Sequence, residues 1–317
     1  MDRPRKSRHS PLGAFAALVV VGIAIFAWRS RAPFGAPGND AQPGPLLAEP
    51  DVARASAAHS SAVAQLAAPR AKAPDPIGLS NVDALMPERV DAYAGAPQTI
   101  YSDHWLDTMP PDGPAGFKLE APPLHPVLAA ITLPGHGDAH ARWMTQLPNL
   151  HALIALVRDG FHPESPGGTV TLRDDGTPVL DYPLTPYLFD GMRRAFRAMA
   201  DLQFAAGARS VMPVHGRGEG FETAAAARAA IAAFDLAPLV TPVVSAHVMG
   251  GCPLGPDPRR AVVDLDGRHH QLANLHVLDG SLFPTSIGAN PQLSIYGIVA
   301  KLADALAASL GRPAPVA

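Results

Sequence analysis

Hydrophobic positions change their spacing several times along the chain, and each change marks a different kind of element. Residues 12–28 form an uncharged apolar run of seventeen, with Arg3, Arg5, Lys6 and Arg8 before it and Arg29 and Arg31 after it. That length is the lower limit for a spanning helix, and the heavier positive charge on the N-terminal side keeps that end in the cytoplasm. Residues 1–31 are therefore expected to be an N-terminal apolar helix, a membrane-anchor or signal-like segment, with the globular part exported to the periplasmic side. Residues 32–77 hold no lasting period of 2 or 3.6 and are rich in Ala, Pro and Gly, which predicts a linker.

From about Gly78 the pattern becomes that of a folded domain. Residues 99–105, 117–120 and 151–158 read as strands, and residues 169–173 and 178–182 flank Asp174-Asp175-Gly176 as a hairpin. Thr185-Pro186 suits a helix start. Phe189, Met192, Phe196, Met199 and Leu202 follow at helical spacing until Gly207. A second, alanine-rich helix is expected over residues 221–234. A turn at residues 264–267 precedes a strand at 275–278. The last helix spans residues 291–310, with Ile295, Ile298, Val299, Leu302, Leu306 and Leu310 on one stripe and Gly311 after it. Hairpins followed by helices predict an α+β fold: an antiparallel-sheet region over 78–240, then a strand–loop–helix unit over 241–317.

Composition narrows the chemistry. With 47% hydrophobic and 17% charged residues, the chain can bury a sizeable core. A net charge of −3 leaves no basic footprint, so no nucleic-acid partner is expected. Cys252 is the single cysteine, which rules out an intramolecular disulfide, and no lysine or arginine stands near it in sequence to activate the thiol. No metal site is expected. His269 and His270 are adjacent and would face opposite sides of a strand, while His136 and His140 lack the glutamate of a zinc-protease motif. Ser281 stands in Asp-Gly-Ser-Leu-Phe, not in a nucleophile elbow. Arg193, Arg194 and Arg197 are expected on a solvated helix face.

Three C-terminal segments carry the candidate chemistry. His247 precedes Met249-Gly250-Gly251, where backbone can approach a ligand closely, and an ordinary imidazole accepts a proton near neutral pH. Asp279-Gly280 follows an apolar stretch, at the place where open α/β sheets bind ligands. Asn290-Pro291 opens the last helix as N-cap and first-turn proline, presenting free N–H groups to an anion.

The order His-x-Met-Gly, Asp-Gly-Ser-x-Phe-Pro and Asn-Pro, with His247 and Asn290 forty-three positions apart, resembles the C-terminal signature of the glucose–methanol–choline (GMC) oxidoreductases. Weaker resemblance in residues 92–103, 117–120 and 200–214 extends it over roughly the last 235 residues. The resemblance implies a substrate domain over 78–240 and a flavin and catalytic region over 241–317. It implies FAD as hydride acceptor and a small-molecule alcohol as substrate. His247 would take the alcohol proton and Asn290 would hold the substrate oxygen. Asp279, Gly280, Asn290 and Pro291 would touch the cofactor.

The family's Gly-x-Gly-x-x-Gly turn between strand and helix is not found. Gly35-Ala36-Pro37-Gly38, Gly135-His136-Gly137 and Gly216-Arg217-Gly218-Glu219-Gly220 all depart from it. The FAD-binding domain is thus expected to be incomplete, with two outcomes. Either a separate chain supplies the dinucleotide-binding unit, or the chain is an inactive remnant or a membrane-tethered, partner-binding subunit.

Overall fold

The computed structural model describes residues 78–311 except positions 96, 97, 108, 111, 161, 217 and 246. The expected anchor at 1–31 and linker at 32–77 lie outside the described residues. Among the described residues no helix is long and apolar enough to cross a membrane.

In chain order the elements are β1 (Gly78–Leu85), β2 (Tyr101–Ser102), α1 (His104–Asp107), β3 (Phe117–Glu120), α2 (Pro126–Thr132) and α3 (Gly137–Thr145). They continue with β4 (Leu150–Val157), β5 (Thr169–Leu172), β6 (Pro178–Asp181), α4 (Pro186–Ala205), β7 (Ser210–Pro213), α5 (Ala224–Ala233) and α6 (Gln292–Ser309). Five strands form one antiparallel sheet in the order β2-β3-β4-β1-β7, and β5 and β6 make the expected hairpin.

One face of the sheet carries Val82, Ala84, Phe117, Leu119, Ala155, Val157 and Val211, and α4 lies on it with Leu188, Met192, Ala195, Phe196 and Met199. The helix forms where its sequence signals say. Thr185 Oγ1 accepts from Leu188 N–H at 3.3 Å, Pro186 occupies the first turn, and Gly207 follows with φ +93°. Gly191 sets how closely the helix approaches, because a β-carbon there would stand 2.9 Å from both Ala115 Cβ and Val157 Cγ1. The predicted stripe departs at one position. Leu202 is exposed, and Gln203 is buried in its place with Nε2 donating to the Val82 carbonyl at 2.9 Å.

The opposite face follows from register. Asn81, Ile154 and Glu120 form one row across three strands, and Lys118 pairs with Leu156. Asp83 pairs with Ala152 and Met212. One end of this face is covered by the cluster of Leu124, Ala129, Leu133, Leu147, Leu150, Ala152 and Met212, to which α2 and α3 contribute. The other end meets the C-terminal region.

Two expected strands change. The strand at 99–105 shortens to β2, because Leu106 and Asp107 N–H groups turn back to the Asp103 carbonyl and start α1. The strand at 275–278 does not form. Its neighbourhood holds only the single bridges Leu254–Val263, Val263–His269 and Arg268–His276, since turns rather than a continuous strand flank it. The C-terminal unit is therefore loop, 3₁₀ turn (Gly280–Leu282) and helix around a small core of Val263, Leu282 and Leu302. Ile298 of the last helix packs there, whereas Leu310 of the predicted stripe is exposed.

Candidate active site

Strand β3 alternates apolar and charged residues, a pattern that normally leaves the charges in water. Here all four residues are buried, because α4 covers Phe117 and Leu119 and the C-terminal region covers Lys118 and Glu120. The two charges satisfy each other: Lys118 Nζ lies 3.2 Å from Glu120 Oε1, with only 11% and 3% of the side chains exposed. Gln98 Nε2 donates to the second Glu120 oxygen at 3.1 Å. The Lys118 ammonium also lies 4.1 Å from the centre of the Tyr101 ring.

Asn290 docks on this pair. Its Oδ1 accepts from Lys118 Nζ at 2.7 Å. The expectation that Asn290 caps the last helix is corrected: Pro291 holds the N-cap position, α6 starts at Gln292, and no side chain caps it. The carboxamide oxygen that would have capped is engaged by Lys118 instead.

His247 stands within electrostatic reach of the same two charges. Burial lowers the imidazole pKa below its usual value; Glu120 pulls it back up and Lys118 pushes it down further. Its Nδ1 is buried and has no hydrogen-bond partner among the described residues. Asn290 thus touches Lys118 directly, and His247, far from both in sequence, feels the charges of Lys118 and Glu120 through space.

The remaining predicted positions frame this point. Gly250 and Gly251 both take positive φ, +88° and +101°, which lets the chain turn directly after Met249. Amides of Gly250, Cys252 and Leu254 donate to the carbonyls of Gly280, Ser281 and Leu282, so the His247 segment and the Asp279-Gly280 segment run together. A β-carbon on Gly280 would stand 3.0 Å from Ile295 Cδ1 and 3.4 Å from the Val248 carbonyl, so this glycine joins that segment to α6. Asp279 turns its carboxylate to its own loop, accepting from Ser281 N–H at 2.8 Å. Pro291 is buried beneath the start of α6.

Lys118 and Glu120 were not singled out in the sequence. Their signal was a pair of opposite charges two apart on a strand, which reads equally well as a solvated edge. Several other polar groups are structural. Burial pushes the Cys252 thiol pKa up, away from a reactive thiolate. His269 Nδ1 accepts two backbone N–H groups, and His270 Nε2 bonds the Gly255 carbonyl. Arg193 donates to the Ile231, Ala232 and Phe234 carbonyls at the end of α5, so only part of the predicted arginine face is solvated.

Residues 163–298 match the family model for GMC oxidoreductase. An uncharacterized GMC-type oxidoreductase of Mycobacterium tuberculosis is 28% identical over 194 residues, which is 60% of this chain and 29% of that protein. A long-chain-alcohol oxidase of Arabidopsis thaliana is 27% identical over 189 residues, 57% of this chain and 25% of that protein. Among solved structures, a formate oxidase of Aspergillus oryzae covers 75% of this chain and 47% of its own length, with a TM-score of 0.51 at 14% identity, a likeness of fold. Residues 163–298 are thus similar to the C-terminal domain of GMC oxidoreductases, and the chain spans less than a third of the length of these two sequence relatives.

Proposed function

We propose that this chain is the substrate-binding and catalytic component of an FAD-linked oxidoreductase acting on the CH–OH group of an alcohol. The observation that supports the reading is the buried His247 imidazole nitrogen without a partner, on a ring that feels the same Lys118 and Glu120 charges on which Asn290 docks. A buried ring nitrogen without a partner, donor or acceptor, costs about 1–3 kcal/mol, and a polar ligand would satisfy it.

The residues fit one half of FAD. The start of α6 offers unsatisfied N–H groups and the positive end of a helix dipole beside Asn290 and Pro291, suited to the flavin end. Asp279 and Gly280 lie next to it. For the adenosine diphosphate half, the described residues offer no glycine-rich turn between strand and helix. A separate polypeptide carrying that unit is part of the proposal. So is the membrane anchor at residues 1–31 with an exported globular part, supported by the charge asymmetry around the apolar run.

FAD, when bound, supplies the acceptor for the hydride that leaves the carbinol carbon. His247, held neutral at pH 7 by its lowered pKa, takes the hydroxyl proton. Asn290 donates from its amide nitrogen to the substrate oxygen and keeps it in line with His247. The His247 imidazolium then gives its proton to solvent, which restores the neutral ring for the next turnover.

Reconstitution with FAD, a panel of primary alcohols and a candidate dinucleotide-binding polypeptide tests the reading. His247→Ala should lower turnover by about 10²- to 10⁴-fold while the bound-flavin spectrum stays the same. Unchanged turnover in that variant would remove His247 as the base, and no turnover of any alcohol by the reconstituted wild type would remove the oxidoreductase reading. Activity should also fall on the acid side with a midpoint below pH 6.5, because only the neutral ring accepts the proton.

A further inference from the structure

We propose that Lys118 is a positioning residue: its ammonium fixes the Asn290 carboxamide in one orientation, oxygen inward and NH₂ toward the substrate. The inference deepens the proposed function and rests on it for the word substrate. The geometry of the amide stands without it.

The argument begins with what an ammonium can do. Lys118 carries three N–H donors and no acceptor, so whichever amide atom faces it must be oxygen. At 2.7 Å the contact with Asn290 Oδ1 is a short, charge-assisted bond. A flipped amide would set N–H against the N–H groups of the buried Lys118 ammonium. The Asn290 Nδ2 group has no protein partner among the described residues, and Asn290 is exposed, so both of its donors are available. An alcohol oxygen, which gains negative charge as its proton leaves, needs a donor and not an acceptor. The Lys118 bond thus selects the useful face of an otherwise symmetric group.

Lys118 is itself held in place. Glu120 Oε1 lies 3.2 Å away, the Tyr101 ring closes another side at 4.1 Å, and Gln98 holds the far oxygen of Glu120. The chain Gln98, Glu120, Lys118, Asn290 runs from β3 and its neighbouring loop to a residue two positions before α6. Each member has one fixed donor or acceptor role. The helix cap that Asn290 could have made is given up, so this orientation is maintained at the expense of local helix stability.

The test is made on the full chain labelled with ¹⁵N, with or without flavin. The Asn290 side-chain NH₂ signals are assigned by their loss in Asn290→Asp. In Lys118→Met these signals should move and broaden as the amide samples both orientations, and Lys118→Arg should restore one sharp pair. Lys118→Met leaves Glu120 buried alone, so Lys118→Met combined with Glu120→Gln, compared with Glu120→Gln by itself, gives a folded pair with the same contrast. The His247 ring titration, followed in the same samples, should move to higher pH when Lys118 is removed.

In a flavin-loaded complex that turns over alcohol, Lys118→Met should lower kcat at least about tenfold with KM nearly unchanged, and Lys118→Arg should recover most of it. Asn290 NH₂ signals identical in wild type and both methionine variants would overturn the positioning role. Signals that respond in a complex that turns over no alcohol would uphold the orientation of the amide and remove the oxidoreductase reading.

Discussion

Asp83 lies in the middle of β1, fully buried, with Asn81 as its side-chain partner: the Asn81 amide is 3.4 Å from each carboxylate oxygen. Burial raises its pKa from 3.8 to about 7, and Asn81 offsets only part of this. Such a shift corresponds to roughly 4 kcal/mol. Its sign is opposite to that of a salt-bridged carboxylate. Above about pH 4 the unfolded chain releases the proton while the folded chain keeps it until about pH 7, so stability falls as pH rises through that window and levels off beyond it. Asp83→Asn should therefore exceed the wild type in urea midpoint at pH 8, and the advantage should shrink to nothing below pH 4. Equal midpoints at both pH values would mean that the carboxyl does not ionise under strain. The site residues behave differently: Lys118 and Glu120 are also buried but satisfy each other, so their energetic weight appears only when one is removed.

Among the elements, α4 shows which signals are local. Its cap, first-turn proline and terminal glycine were all legible, because each acts within a turn of the helix end. Its fit to the sheet was not. Gly191 looks like a weak point by helix propensity, yet it lets the backbone approach Ala115 and Val157. Gly191→Ala gains about 1 kcal/mol in propensity and loses about 1–3 kcal/mol to overpacking. We expect a net fall in stability of about 1 kcal/mol, seen as a lower Tm; a higher Tm would show that the contact yields. Thr185→Ala should cost about 1 kcal/mol by the same measurement, for loss of the Leu188 N–H bond. The last helix teaches the converse. Its start was read one residue early because Asn-Pro is a good local cap, whereas Lys118, 172 positions away in sequence, takes the amide.

For the whole molecule, the C-terminal region rests on a core of three fully buried side chains beside a much larger one under α4. Leu293 and Tyr296 of α6 remain exposed, at 84% and 59%, close to the proposed site. Apolar surface of this kind fits a polypeptide that completes the flavin-binding fold. These 317 residues by themselves should lose added FAD on gel filtration, leaving far less than one flavin per chain by absorption. A stoichiometric flavin band would show that no second polypeptide is required.

Short-range periodicity sufficed for the hairpin, the α4 boundaries, the Asp-Gly turn and the order of the three C-terminal motifs. Each of these is decided by residues a few positions apart, so the chain carries its own instructions for them. The partners of Asn290, the burial of Lys118 and Glu120, and the open nitrogen of His247 depended on which surfaces meet after folding. Alternation along β3 tells where side chains point but not whether the second face is covered. Covering that face turned an ordinary pair of strand charges into the support of the candidate active site.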